Sequence, residues 1–106
     1  MDRDKIEIID SKTKSRLDKA LSLSNAESQL IKLVEELKVE GWNQLQVYDV
    51  FETYMFSLEK ENRVIEADIV CEVVSYIYGW CGEHAKLFGR TMFNEEIRKY
   101  RESKNQ

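Results

Sequence analysis

The chain reads as an all-α protein, a small bundle of four to five helices with a central antiparallel hairpin of residues 44–61 and 63–80. Three observations predict this. Proline is absent, and only Gly41, Gly79, Gly82 and Gly89 punctuate the 106 residues, which favours long helices over many short strands. Apolar residues recur at three- and four-residue spacing rather than alternating. Leu, Ile, Val and Phe supply 29 residues, enough for a modest core in one domain over 1–106.

Residues 1–10, with Ile6, Ile8 and Ile9, suit a short strand, a helix start or a frayed end. From Ser11 a charged helix places Leu17, Ala20 and Leu21 at i, i+3, i+4, and Ser22 to Asn25 ends it. Ser24-Asn25-Ala26-Glu27 then has the Ser-x-x-Glu capping pattern. Ala26, Leu30, Leu33, Val34 and Leu37 form one stripe behind it, and Gly41 stops that helix.

Asn43 opens the next helix, with Gln46 three residues on, and Val47, Phe51, Tyr54 and Leu58 fall on its inner line. Arg63 to Tyr78 is rich in β-branched residues but does not alternate. Its polar positions Asp68, Glu72, Ser75 and Gly79 fall at i, i+4, i+7, i+11, one narrow stripe on a helix otherwise apolar all round. Such a helix is expected at the bundle centre, hiding nearly its whole girth, with Cys71 as a small core residue. Gly79-Trp80-Cys81-Gly82 breaks it. Asn94-Glu95-Glu96 starts a last helix with Phe93, Ile97 and Tyr100 as its stripe, and 101–106 reads as a solvated tail.

Charge limits the function classes. Net charge is −4; residues 21–82 carry four basic and eleven acidic groups, while both ends are mildly basic. The longest uncharged run, Val73 to Gly82, is ten residues, too short to cross a bilayer core of about 30 Å. Met1-Asp2-Arg3-Asp4-Lys5 mixes charges with no apolar export segment behind it. Two cysteines read as free thiols in a reducing compartment, so a cytoplasmic location is expected. The helix after Gly41-Trp42-Asn43 offers Asp49, Glu52, Glu59 and Glu61 against Lys60 alone. It would be repelled by a duplex, which disfavours nucleic-acid binding.

Candidate chemistry is sparse. Cys81 and His84 have a zinc-chelating spacing, but a closed site needs four ligands, and Cys71 is the one other thiol. A single histidine cannot supply a di-iron bundle site. Glu36 with Glu40, and Asp68 with Glu72, each share a helix face at i, i+4. If those faces met, the four carboxylates could hold Mg²⁺ and position a nucleotide. The arrangement resembles the all-α nucleoside triphosphate pyrophosphatases, which carry Glu-x-x-Glu and Glu-x-x-Asp on two helices. Here the first pair is one residue longer, and Ile65 stands three before Asp68, so neither motif is present.

The leading expectation is a non-enzymatic helical binding module, of the kind represented by adaptors, regulators and immunity-type inhibitors. Its acidic centre would engage a basic protein partner or a second copy, through Trp42, Asp49, Glu52 and Phe56. It would use no cofactor and no membrane. The alternative is the Mg²⁺-dependent nucleotide pyrophosphohydrolase-like enzyme using Glu36, Glu40, Asp68 and Glu72.

Overall fold

Helix starts follow from oxygens placed to satisfy the first free amides. In the computed structural model residues 9–79 and 86–104 are described; among them the chain forms five helices and no strand. The Asp10 carboxylate accepts from the Thr13 amide at 3.2 Å and opens α1, Ser11–Leu21. Asn43 and Gln46 cap each other's backbone amides at 2.9 and 2.8 Å, opening α3, Gln44–Lys60. The expected Ser24–Glu27 box does not form. α2, Ala26–Val39, takes Asn25 as its N-cap without a side-chain bond, and Glu27 accepts instead from the Tyr76 hydroxyl at 3.1 Å.

The ends of α2, α3 and α4 use left-handed residues, whereas α1 ends on Ser22 at φ −79°. After α2, Gly41 at φ +101° lets the Trp42 amide reach Leu37 O and its own amide reach Lys38 O, both at 3.0 Å. Asn62 at φ +63° closes α3 the same way, with Arg63 N on Leu58 O at 2.9 Å and Asn62 N on Glu59 O at 3.0 Å. α4, Val64–Tyr78, ends on Gly79 at φ +96°. Bonds from Leu87 N to Tyr76 O (3.1 Å) and Met92 N to Tyr78 O (2.8 Å) tie the following chain to this end. α5 is Asn94–Lys104.

The α3–α4 hairpin is the main packing unit, with α1 against α2 and α2 against α4. Leu30, Val34 and Leu37 of α2, Val47, Phe51 and Leu58 of α3, and Val70, Val73 and Ile77 of α4 are buried between them. Each such side chain contributes about 1.5–3 kcal/mol of burial free energy.

Four expectations change. α4 does not hide nearly its whole girth: Val64 is 59% and Ile65 78% exposed, and Cys71 is exposed rather than in the core. Helices α2 and α3 cover one side of α4, where Ala67, Val70, Val73, Val74 and Ile77 lie, and its opposite side is open. In the last segment Met92 is buried and Phe93 exposed, so Phe93 leaves the stripe. Arg101 is half-buried within α5 and is no tail residue.

Candidate functional site

The residues expected to face a partner divide into engaged and open. Asp49 and Glu52 lie one turn apart on α3, and Arg101 of α5 donates to both, at 3.1 and 2.5 Å. Asp49 is buried, and Glu52 also accepts from the Tyr48 hydroxyl at 2.8 Å. These carboxylates therefore hold α5 onto α3 instead of forming a free acidic rim. Burial first, then the bond to Glu52, pushes the Tyr48 phenol well above its ordinary range. Trp42 is half-buried against the core beside the end of α2. Phe56 alone of the four is open, at 47% exposure.

Of the two carboxylate pairs, Glu36 and Glu40 do share a face of α2, and that face meets α1. Arg16 donates to Glu40 at 3.0 and 2.8 Å and to Glu36 at 3.3 Å. The Arg16 hydrogen bond holds the Glu40 carboxyl below the usual carboxylate range. Asp68 and Glu72 lie on the exposed side of α4. The pairs do not converge: among the described residues no three His, Cys, Asp or Glu side chains come together to hold a metal ion. Cys81, His84 and Trp80 lie outside the described residues.

A census of ion pairs isolates one surface. Lys14 takes Asp18, Arg63 takes Glu61 and Glu66, Lys38 takes Glu35, Arg90 takes Glu96, and Arg98 takes Glu95 and Glu102. With the Arg16 and Arg101 clusters, the described carboxylates left outside any ion pair are Asp10, which caps α1, and Glu27, Glu59, Asp68 and Glu72. Two of these, Asp68 and Glu72, share the outer face of α4 with Ile65, at i, i+3, i+7. The Tyr76 hydroxyl lies 3.4 Å from Glu72 and 3.1 Å from Glu27, so Glu27 of α2 borders the same face.

The sequence expectation groups Asp68 and Glu72 only within the alternative metal site and does not group Ile65 or Glu27 with them. The available signal was the i, i+3, i+7 spacing of Ile65, Asp68 and Glu72, an apolar residue on the polar stripe. No family model matches the chain, and neither a curated protein nor a solved structure resembles it.

Proposed function

We propose that the chain is a non-enzymatic helical binding module whose outer α4 face docks a basic protein partner. The observation that carries this is Ile65, 78% exposed, beside Asp68 and Glu72, which have no ion-pair partner among the described residues. An exposed apolar side chain framed by uncompensated carboxylates matches a basic surface with an apolar knob. Val64, 59% exposed, adds apolar area next to Ile65 in sequence on α4. The surrounding charge points the same way: between residues 44 and 78, Arg101 and Arg63 pair with four of the seven acidic residues, and Glu59, Asp68 and Glu72 stay outside any ion pair among the described residues. That field attracts cationic proteins and repels nucleic-acid phosphates. No helix of the described residues is long and apolar enough to cross a membrane. The exposed free thiol of Cys71 suits a reducing compartment, so we place the module in the cytoplasm.

The test is affinity purification from the source cells with the native chain and with Asp68→Lys/Glu72→Lys, the retained proteins being quantified by mass spectrometry. A stoichiometric basic partner kept by the native chain and lost by the variant supports the reading. An unchanged set of retained proteins, with both chains monomeric in sedimentation, overturns it. Because both positions are exposed, the double variant should melt close to the native chain.

A further inference from the structure

Helices α1 and α2 and the turn between them line an open cleft of about 340 Å³, formed by Arg16, Lys19, Ala20, Leu23, Gln29, Lys32, Leu33 and Glu36. That volume is at the small end of ligand pockets, and none of these residues belongs to α4. Its floor is apolar, since Ala20 and Leu33 belong to the buried core, while Leu23 at 43% exposure forms an apolar rim. Its charge is opposite in sign to the molecule's net charge of −4.

The charges in this cleft are unequal in availability. Arg16 is engaged by Glu36 and Glu40, so the one carboxylate in the lining is already compensated. Lys19 and Lys32, one from each helix, are exposed and make no ion pair or hydrogen bond among the described residues. Gln29 adds an amide able to donate or accept. We infer that the α1–α2 cleft binds a small amphipathic anion, its carboxylate or phosphate head between Lys19 and Lys32 and its apolar body against Ala20, Leu23 and Leu33. Charge-assisted bonds to two ammonium groups orient the head, and a flat apolar body gains by leaving water for the floor. Free inorganic phosphate has the head without the body and binds more weakly.

Phenyl phosphate, benzoate and inorganic phosphate, each titrated into the ¹⁵N-labelled full chain, test the inference. Saturable amide shifts at Ala20, Leu23, Gln29 and Leu33 are expected for the two aromatic anions. Lys19→Gln/Lys32→Gln should weaken binding about tenfold or more, and Glu36→Gln should strengthen it by removing a nearby negative charge. Shifts centred elsewhere, binding unchanged in the lysine variant, or no saturation at millimolar ligand would overturn it. These readouts are independent of the α4 face, so the two proposals stand or fall separately.

Discussion

The Tyr54 hydroxyl donates to the Asp18 carboxylate at 2.6 Å, joining α3 to α1 across 36 residues of chain. The phenol ring is buried, and Lys14 supplies a second donor to the same carboxylate at 3.0 Å. Burial raises the Asp18 pKa, but these two hydrogen bonds together with the Lys14 and Arg63 charges outweigh it, and the carboxyl stays below its ordinary range. Asp18 thus favours the folded state while ionised. Its contribution is complete above the unfolded-state pKa of about 4 and fades as pH falls through the lower folded value. Tyr54→Phe should cost about 1 kcal/mol at neutral pH. In urea unfolding curves taken at several pH values, the gap between native and variant should narrow below about pH 4. A gap independent of pH would mean that the bond does not set the Asp18 titration.

At the alkaline end the sign reverses. Tyr48 and Tyr54 both have raised phenol pKa values, chiefly from burial and next from their bonds to Glu52 and Asp18. Each therefore stabilises the fold below the unfolded tyrosine value of about 10, and that stability is lost as pH rises beyond it. Absorbance of tyrosinate should show these two ionising only as the helical circular dichroism signal collapses. Ionisation of all five tyrosines before unfolding would contradict the burial of both rings.

Arg101 predicts how firmly α5 is held. Of its residues Ile97 is buried, so little apolar surface anchors it, and the Arg101 pair with Asp49 and Glu52 supplies much of the attachment. Asp49 is buried, and taking away a cation leaves that carboxylate less compensated, which costs more than the pair contributes in isolation. The Arg101 side chain is 37% exposed, which moderates the effect. Arg101→Met should cost about 2 kcal/mol and accelerate amide exchange in 94–104 more than in α3 or α4. Adding Asp49→Asn should recover part of the loss. Uniform acceleration across the bundle would show that α5 is not a separable unit.

What the sequence revealed was local. The α2 stripe of Ala26, Leu30, Leu33, Val34 and Leu37 is buried as its spacing predicts, because helical period alone decides which side chains share a face. The Asn43–Gln46 box forms because both partners lie within one turn. Non-local facts were not legible. Spacing groups Ile65 with Asp68 and Glu72, but whether another helix covers that group depends on packing, and none of the described helices does. Arg101 lies 52 residues from Asp49 in sequence, so α3 alone gives no sign that Asp49 and Glu52 are engaged. Spacing likewise pairs Glu36 with Glu40 but gives no sign that Arg16 of the preceding helix occupies both.

Gly79 and Gly41 should respond very differently to alanine although both have positive φ, +96° and +101°. At Gly79 a Cβ would sit 2.4 Å from Arg90 O and 2.6 Å from Thr91 Cα, both backbone atoms, whereas at Gly41 nothing lies within 4 Å. Gly41→Ala therefore bears only the left-handed backbone cost, about 1 kcal/mol. Gly79→Ala bears that cost and must also push away the strand of chain bonded to α4. A loss of about 3 kcal/mol or more is expected, with the 87–92 amides losing exchange protection first. Equal losses at the two sites in urea unfolding would place residues 90 and 91 further from α4 than described.

Asn62 is the one described non-glycine residue with positive φ, at +63°, and its amide and that of Arg63 close α3. Asparagine tolerates this left-handed position better than most residues, but glycine meets no Cβ penalty there. Against that gain, glycine gives the unfolded chain more freedom to lose. The balance predicts that Asn62→Gly stabilises by about 0.5 kcal/mol, while Asn62→Val, with a branched Cβ, destabilises by about 1–2 kcal/mol. Both changes leave the outer α4 face untouched, so neither should alter partner retention. The opposite order of the two variants in thermal unfolding would mean that the α3–α4 turn does not use a left-handed residue at position 62.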